Sequence, residues 1–489
     1  MKKSILTMWL AVTAVLALNA ETYSGNIVVI SNGQTYNQTV TVTATETDNG
    51  MYDFVLQVPM FGTMKMFDVP ASTTDGITVY SAVRDVPTSF GDMRTTLFAR
   101  SIDGMIAADV TIPAQNTTMW FNTVGDHFQL PNSDMESWTN SNGEPDRWHG
   151  FKTATGTWAW AAPALLGQSD DIHEGSSGQH SAVVTAKSAF GTVANGTMTN
   201  GRLNAGSTSA TSTQNNASMD ESYGNDFYMS LYAKPDKFNV WLKYTQGTAN
   251  DDNKAKVSVK TFDGTYYQEP VDKEYTNLSG SIVGGQIPAC GWTLYSFPFD
   301  YDSYEANCAK SEAIFVTFST NANPGQGSSN DQLFVDDMEL VYLGNMTDLR
   351  YQGTTIEGWN PATTSYDMEF TAVPDLEDFT ATIEGVSAVL TKSMEQNGPN
   401  TYRIAISVVS GDLQNAACYV INATVVPVST PGDVNNDGTI DISDATALIN
   451  YLLSGNSDGI NLAAADLNND GSVDISDATT LINWLLNGH

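Results

Sequence analysis

Hydrophobic and polar positions alternate with a period of two along most of this chain, and only the last fifty or so residues change to a helical period. From residue 21 to about 125 the runs "NIVVI", "QTVTVTAT", "YDFVLQV", "MKMFDV", "ITVYSA", "RTTLFAR" and "MIAADVTI" follow one another. Turn signals separate them, among them Asp48-Asn49-Gly50 and Asp103-Gly104, the second a strong hairpin signal because both residues tolerate positive φ. Seven or eight short antiparallel strands in a hundred residues predict a small barrel or sandwich. From 126 to about 345 the strands are spaced by long Gly/Ser/Asn loops. In "KFNVWLKYT" Phe238, Val240, Leu242 and Tyr244 take one face and Asn239, Trp241, Lys243 and Thr245 the other. From 346 to about 428 a Trp359-Asn360-Pro361 turn precedes alternating Tyr366, Met368 and Phe370, and "YRIAISVV" and "CYVINATVV" supply later strands. The run "PVSTPG" from Pro427 to Gly432 reads as a linker. After residue 440 the apolar positions fall at i, i+3, i+4 and i+7: Ala445, Leu448, Ile449 and Leu452, then Ala478, Leu481, Ile482 and Leu485. The fold class expected is therefore multidomain and mostly β, closed by a helical C-terminal module.

Those two helices belong to an internal repeat. "DVNNDGTIDISDATALINYLL" begins at Asp433 and "DLNNDGSVDISDATTLINWLL" at Asp466, 33 residues later. Each copy carries oxygen donors at positions 1, 3, 5, 7, 9 and 12 of an EF-hand-type loop with Gly at 6. The first set is Asp433, Asn435, Asp437, the Thr439 carbonyl, Asp441 and Asp444; the second is Asp466, Asn468, Asp470, the Ser472 carbonyl, Asp474 and Asp477. Gly438 and Gly471 stand at the sharp turn. Four carboxylates converge in each loop, which is untenable without a hard divalent cation, and an oxygen-only donor set selects calcium over zinc. Two calcium ions are expected here.

Length and charge narrow the rest. At 489 residues the chain is too long for one core, and roughly three or four domains are expected. The formal net charge of -34 excludes nucleic-acid binding as a bulk property, since phosphate neutralisation needs clustered Lys and Arg. Lys2 and Lys3, an apolar run from Ile5 to Leu18, and Ala17 or Ala20 read as an export signal over 1–20, shorter than a membrane span, so no transmembrane segment remains after cleavage. That places the protein outside a bacterial cell or on its surface. Of three cysteines, Cys290 and Cys308 form a disulfide or stay as thiols, and Cys418 is left over.

Several resemblances follow from these motifs. The duplicated loop and helix, with no incoming helix before the first loop, resembles type I dockerins over 429–489. That implies a cohesin-like or other surface protein as partner, selected largely at loop positions 10 and 11, here Ile442-Ser443 and Ile475-Ser476. Position 10 departs from the small polar residue common in cellulosomal examples. Residues 21–125 look like the calycin-like barrel of secreted Bacteroidetes proteins. The start "LPNSDMESW…NGEPDRWHGF" and end "DQLFVDDMELVY" of 126–345 resemble jelly-roll carbohydrate-binding modules, and more closely the carbohydrate-metabolism domain of Bacteroidetes. In such modules a structural calcium is usually held from the positions of Glu136 and Asp336. Residues 346–428 resemble Ig-like or cadherin-like spacers.

Sugar recognition needs an aromatic face for the pyranose and amide or carboxylate groups for its hydroxyls. Trp241, flanked by Asn239 and Lys243 on the polar face of its strand, is the first candidate platform; Trp158 and Trp160, sharing a face in "TWAWA", come next. A glycosidase would need two carboxylates about 5–10 Å apart in a cleft. Asp170, Asp171, Glu174, Asp220 and Glu221 all lie in Gly/Ser/Asn-rich loops, and no GxSxG elbow occurs. The reading favoured is a non-catalytic glycan-binding accessory protein of polysaccharide breakdown. A glycoside hydrolase and a structural or adhesion protein are the alternatives.

Overall fold

The computed structural model describes residues 20–58, 61–163, 165–189, 191–426 and 430–487. The charged and apolar parts of the expected export signal, and 427–429 of the linker, lie outside them. The chain divides into two compact units. One comprises Met1–Thr364, Glu377–Met394 and Ala405–Val420; the other comprises Ser365–Leu376, Glu395–Ile404 and Ile421–His489.

The first unit opens with nine strands: β1 (Ala20–Ser31), β2 (Gln34–Glu46), β3 (Tyr52–Val58), β4 (Gly62–Val69), β5 (Ala71–Thr74), β6 (Ile77–Thr88), β7 (Gly91–Ile102), β8 (Met105–Ile112) and β9 (Thr117–Asn122). They pair in the order β4-β3-β2-β1-β9-β8-β7-β6-β5, so the meander curls round until β9 meets β1, with Val28 opposite Trp120. Asp103 and Gly104 turn the β7–β8 hairpin at φ 47° and 76°, the left-handed pair that matches strand twist. Two strands, β5 and β9, exceed those read from the pattern. The interior is filled by Ile27, Val42, Phe54, Leu56, Leu97 and Phe121, leaving a void of about 40 Å³. Side chains therefore fill most of this interior.

The next sheet path runs Leu166–Ser169, Ser181–Thr185, Gln332–Val341, Lys237–Thr245, Cys290–Asp300, then Leu278–Ile282, Ala255–Phe262, Ala313–Ser319 and Thr197–Thr199. It folds over at Asp300, opposite Ser281, and the two halves enclose one core. Phe238, Val240, Leu242 and Tyr244 are almost wholly buried in it from one half, and Val257, Val259 and Val316 from the other. Trp148 is fully buried in the same core and donates its indole N–H to the Pro131 carbonyl at 3.0 Å. Each such side chain contributes ~1.5–3 kcal/mol by leaving water. Buried Glu144 ties down the segment around Trp148: Oε1 accepts from Gly150 and Lys152 N–H, and Oε2 from the Thr153 hydroxyl. All three cysteines are free thiols, so the Cys290–Cys308 alternative resolves to unpaired groups.

Seven strands follow: Asn345–Tyr351, Thr354–Thr355, Ser365–Phe370, Phe379–Glu384, Val389–Gly398, Thr401–Val409 and Ala416–Val425. The line between the two compact units passes through this stretch. The second unit ends in two helices, Ile442–Ser454 and Ile475–Asn487, with a short one at Leu462–Ala465. Val434, Ala445, Leu448, Ala465, Ala478 and Leu481 make their common core. Among the described residues, no helix is long and apolar enough to cross a membrane.

Candidate functional site

The repeated loops place their donors almost identically. In the first, Asp433 Oδ1 accepts from Asp437 N–H (3.1 Å) and Oδ2 from Gly438 N–H (3.0 Å). In the second, Asp466 does the same with Asp470 (3.2 Å) and Gly471 (3.0 Å). Asp444 and Asp477, each fully buried, close the loops from the first turn of the following helix. Asp444 accepts from Asn435 and Asp441 N–H, and Asp477 from Asn468 and Asp474 N–H. Asn436 and Asn469 take φ of 58° and 53°, and Gly438 and Gly471 both 86°, which curls the chain round one point. Asn435, Asp437 and Asp441, with Asn468, Asp470 and Asp474, ring the same points; Thr439 and Ser472 hold position 7. The donors are all oxygens, and this chemistry fits calcium. Ile442 and Ile475 stand 71% and 70% exposed at the helix starts beside Ser443 and Ser476, an apolar pair with no intramolecular reason to face water.

A second acidic group sits in the jelly-roll body. Asp336 is fully buried; its Oδ1 accepts from Asp337 N–H (2.9 Å), while its Oδ2 has no partner among the described residues. Burial, with the adjoining Asp337 charge, pushes its carboxyl up to about 7. Glu136 Oε1 accepts from the N–H groups of Gln179 and His180, both at 2.7 Å. Gly178 permits that approach, since a Cβ there would meet Glu136 Oε1 at 2.4 Å. The His173 ring donor–acceptor Nε2 lies 2.7 Å from Asp337 Oδ2, and these atoms with Asp336 lie within 4.8 Å of one another. Among the described residues the close-set group is His173, Asp336 and Asp337, and Glu136 is not part of it; two carboxylates with one orphaned buried oxygen fit a hard divalent cation.

Trp241 shares this neighbourhood. It is half-buried, cross-strand from Asp336, and its ring stacks on His173 at 4.1 Å and 6°. One of its two faces is therefore taken. Lys243 donates to Asp171 Oδ2 (2.5 Å), and Trp292 Nε1–H to Asp171 Oδ1 (2.9 Å). The Lys243 ammonium beside Asp171 holds its carboxyl below the usual carboxylate range, as an ion-pair partner. Asn239 Nδ2 donates to Glu339 at 2.9 Å. Asp220 caps a short turn through Ser222 N–H, and Asp170, Glu174 and Glu221 are exposed loop groups.

The groove lies elsewhere in the same body, on Thr197–Thr199, Ala255–Phe262 and Ala313–Ser319, with a volume of about 280 Å³. Phe151 and Trp158 line it, together with Asn195, Asn204, Asn216 and Asn321. Lys256 and Glu269 also line it, 3.9 Å apart, and Glu269 is the single carboxylate among its described lining residues. The alternation in "TWAWA" predicts that Trp158 and Trp160 share a face, as on an extended segment. They sit instead on a 3-10 turn, Ala159–Ala161, because two backbone bonds bend the segment: Thr155 N–H to Leu203 O and Trp158 N–H to Ala205 O, both 2.8 Å. Their rings remain stacked at 6.3 Å, and Trp160 is 81% exposed. The asparagines were missed, since each sits in a Gly/Ser/Asn-rich stretch that reads locally as solvated loop.

Gly156 makes the bend possible, with φ 103° and the Ala205 carbonyl 2.6 Å from where a Cβ would stand. Gly156→Ala is expected to displace Trp158 and lower Tm by a few degrees, ~1–3 kcal/mol, measured by calorimetry. An unchanged Tm would show that the turn is not strained.

Residues 431–486 match the Dockerin type I domain family, a calcium-binding, cohesin-binding module. No curated protein matches the chain. Three solved structures are similar in part. One is a glycoside hydrolase candidate from Bacteroides thetaiotaomicron, 12% identical over 67% of this chain and 98% of its own, TM-score 0.33. Another is the M60 catalytic domain of Clostridium perfringens ZmpB with two CBM51 domains, 11% identical over 84% and 40%, TM-score 0.16. The third is infectious bursal disease virus, Gx strain, 9% identical over 66% and 70%, TM-score 0.16. Scores this low bear on neither fold nor activity.

Proposed function

We propose that the protein is a secreted or cell-surface glycan-binding accessory subunit of polysaccharide breakdown. It is held in place by its C-terminal dockerin through a cohesin-like partner that meets Ile442, Ser443, Ile475 and Ser476. The two dockerin loops take one calcium each, and Glu136 with Asp336 takes a third, structural one. The observation that carries the reading is the groove, which is lined by an indole and by asparagine side chains, the two kinds of group a pyranose needs. Its single carboxylate, already paired with Lys256, does not supply the two-carboxylate machinery of a glycosidase.

The experiment is a glycan array on the intact chain, run beside a reducing-sugar assay on the same glycans. Saturable binding that falls at least ~10-fold in Trp158→Ala, with no sugar released, is the expected result. Release of sugar would establish the hydrolase reading instead, and no binding to any glycan would leave the adhesion reading.

A further inference from the structure

The two ring nitrogens of His173 are set by what they face. Nδ1 lies 2.9 Å from the Glu174 carbonyl, an oxygen that only accepts, so Nδ1 carries the ring proton. In the neutral ring Nε2 is then a lone pair, and it faces a second acceptor, Asp337 Oδ2, at 2.7 Å. Two acceptors at that distance need something positive between them, a proton or a metal ion.

Charge separates the two cases. Asp336 is wholly buried beside this pair, and its Oδ2 has no donor among the described residues. Lys243, two positions along the strand from Trp241, is committed to Asp171. A proton on His173 balances one of the two carboxylates and leaves Asp336 Oδ2 unsatisfied. A divalent ion balances both and gives that oxygen a ligand's role. One donor atom from each of His173, Asp336 and Asp337 already lies within 4.8 Å of the others.

The imidazole is also held as a ligand needs to be held. It is 6% exposed, its ring stacks on Trp241, and Trp292 meets its edge at 6.1 Å. A ring fixed in plane, with its other N–H given to a backbone carbonyl, presents one nitrogen in one direction. That nitrogen changes the metal. Calcium takes oxygen donors, whereas imidazole suits zinc and its neighbours.

We infer that His173 Nε2, Asp336 and Asp337 form a mixed nitrogen–oxygen site for a transition metal ion of the zinc class. This rests on the reading that Asp336 holds an ion; it adds His173 and Asp337 to the ligands and sets the site's preference for zinc over calcium. The ion fastens the loop that carries His173 to the strand Gln332–Val341.

The test is isothermal titration of zinc into the intact chain in excess calcium, which fills the dockerin loops and removes them from the measured heat. One equivalent of zinc is expected. His173→Gln and Asp337→Asn should each weaken it about tenfold or more. His180→Gln, which alters a more exposed ring beside Asp170, should leave it unchanged. Asp337 has φ 39°, a conformation Asn also tolerates, and its side chain is 33% exposed, so this variant decides the matter even where His173→Gln does not fold. Circular dichroism checks each. No zinc uptake, uptake untouched by His173→Gln and Asp337→Asn, or uptake lost in His180→Gln alone overturns this inference. Calcium that still stabilises wild type and not Asp336→Asn then leaves the reading of Asp336 standing. Neither ion acting through Asp336 overturns both.

Discussion

Removing calcium with EDTA is expected to abolish the helical signal of residues 442–454 and 475–487 while the β-structure remains. The reason lies in how little else holds the module. Its fully buried core is Val434, Ala445, Leu448, Ala465, Ala478 and Leu481, three of them alanines, with partly buried groups such as Ile440, Leu452 and Ile482 packed against it. A segment of under sixty residues with so small a core needs a metal or a cross-link. Against folding stand four carboxylates in each loop; two charges 4 Å apart repel by about 4 kcal/mol at the effective dielectric of a protein surface. A bound calcium reverses the sign of that term and makes ion binding and folding one event. Far-UV circular dichroism during chelation and readdition measures it. Two ions per module should restore the signal, and Asp444→Ala should prevent the first loop from closing, since Asp444 also anchors Asn435 and Asp441. A helical signal indifferent to EDTA would contradict the account.

Asp336→Asn is expected to have opposite effects with and without calcium. Without the ion, the buried and unpartnered Asp336 Oδ2 is a liability at neutral pH, and removing the charge should stabilise the jelly-roll body by ~2–4 kcal/mol. With calcium, the wild-type chain gains stability by mass action, about 2.7 kcal/mol at a hundredfold excess over Kd, and the variant does not. The two melting curves should therefore cross as calcium is added. The transition of the β-structure must be followed, so that the dockerin transition does not enter. A variant less stable than wild type at every calcium concentration would show that Asp336 plays a packing role and holds no ion.

What the sequence made legible follows from the range of each interaction. The hairpin at Asp103-Gly104, the in–out alternation from Phe238 to Tyr244 and the loop–helix repeat are local, set by residues within a dozen positions of one another. β5 was hidden because "ASTT" has no apolar alternation, and β9 because its single run abuts a Pro-containing turn. The turn at Trp158 is not legible in "TWAWA" because the bonds that bend the segment come from Leu203 and Ala205, over forty residues away. The groove is the extreme case: its walls come from four separated stretches between Phe151 and Gly325, and no short window contains it. Trp241, by contrast, had a clear local pattern, but the ring that covers it, His173, arrives from a loop 68 positions upstream.

The central claim is that the jelly-roll groove binds a glycan, with Trp158 as its platform. Isothermal titration of the array's best soluble oligosaccharide into the intact, calcium-loaded chain tests it most directly, comparing wild type, Trp158→Ala and Trp241→Ala. The prediction is a saturable heat of binding in wild type and Trp241→Ala that disappears in Trp158→Ala. Binding that survives in Trp158→Ala and is lost in Trp241→Ala would contradict it, and would move the site to Trp241.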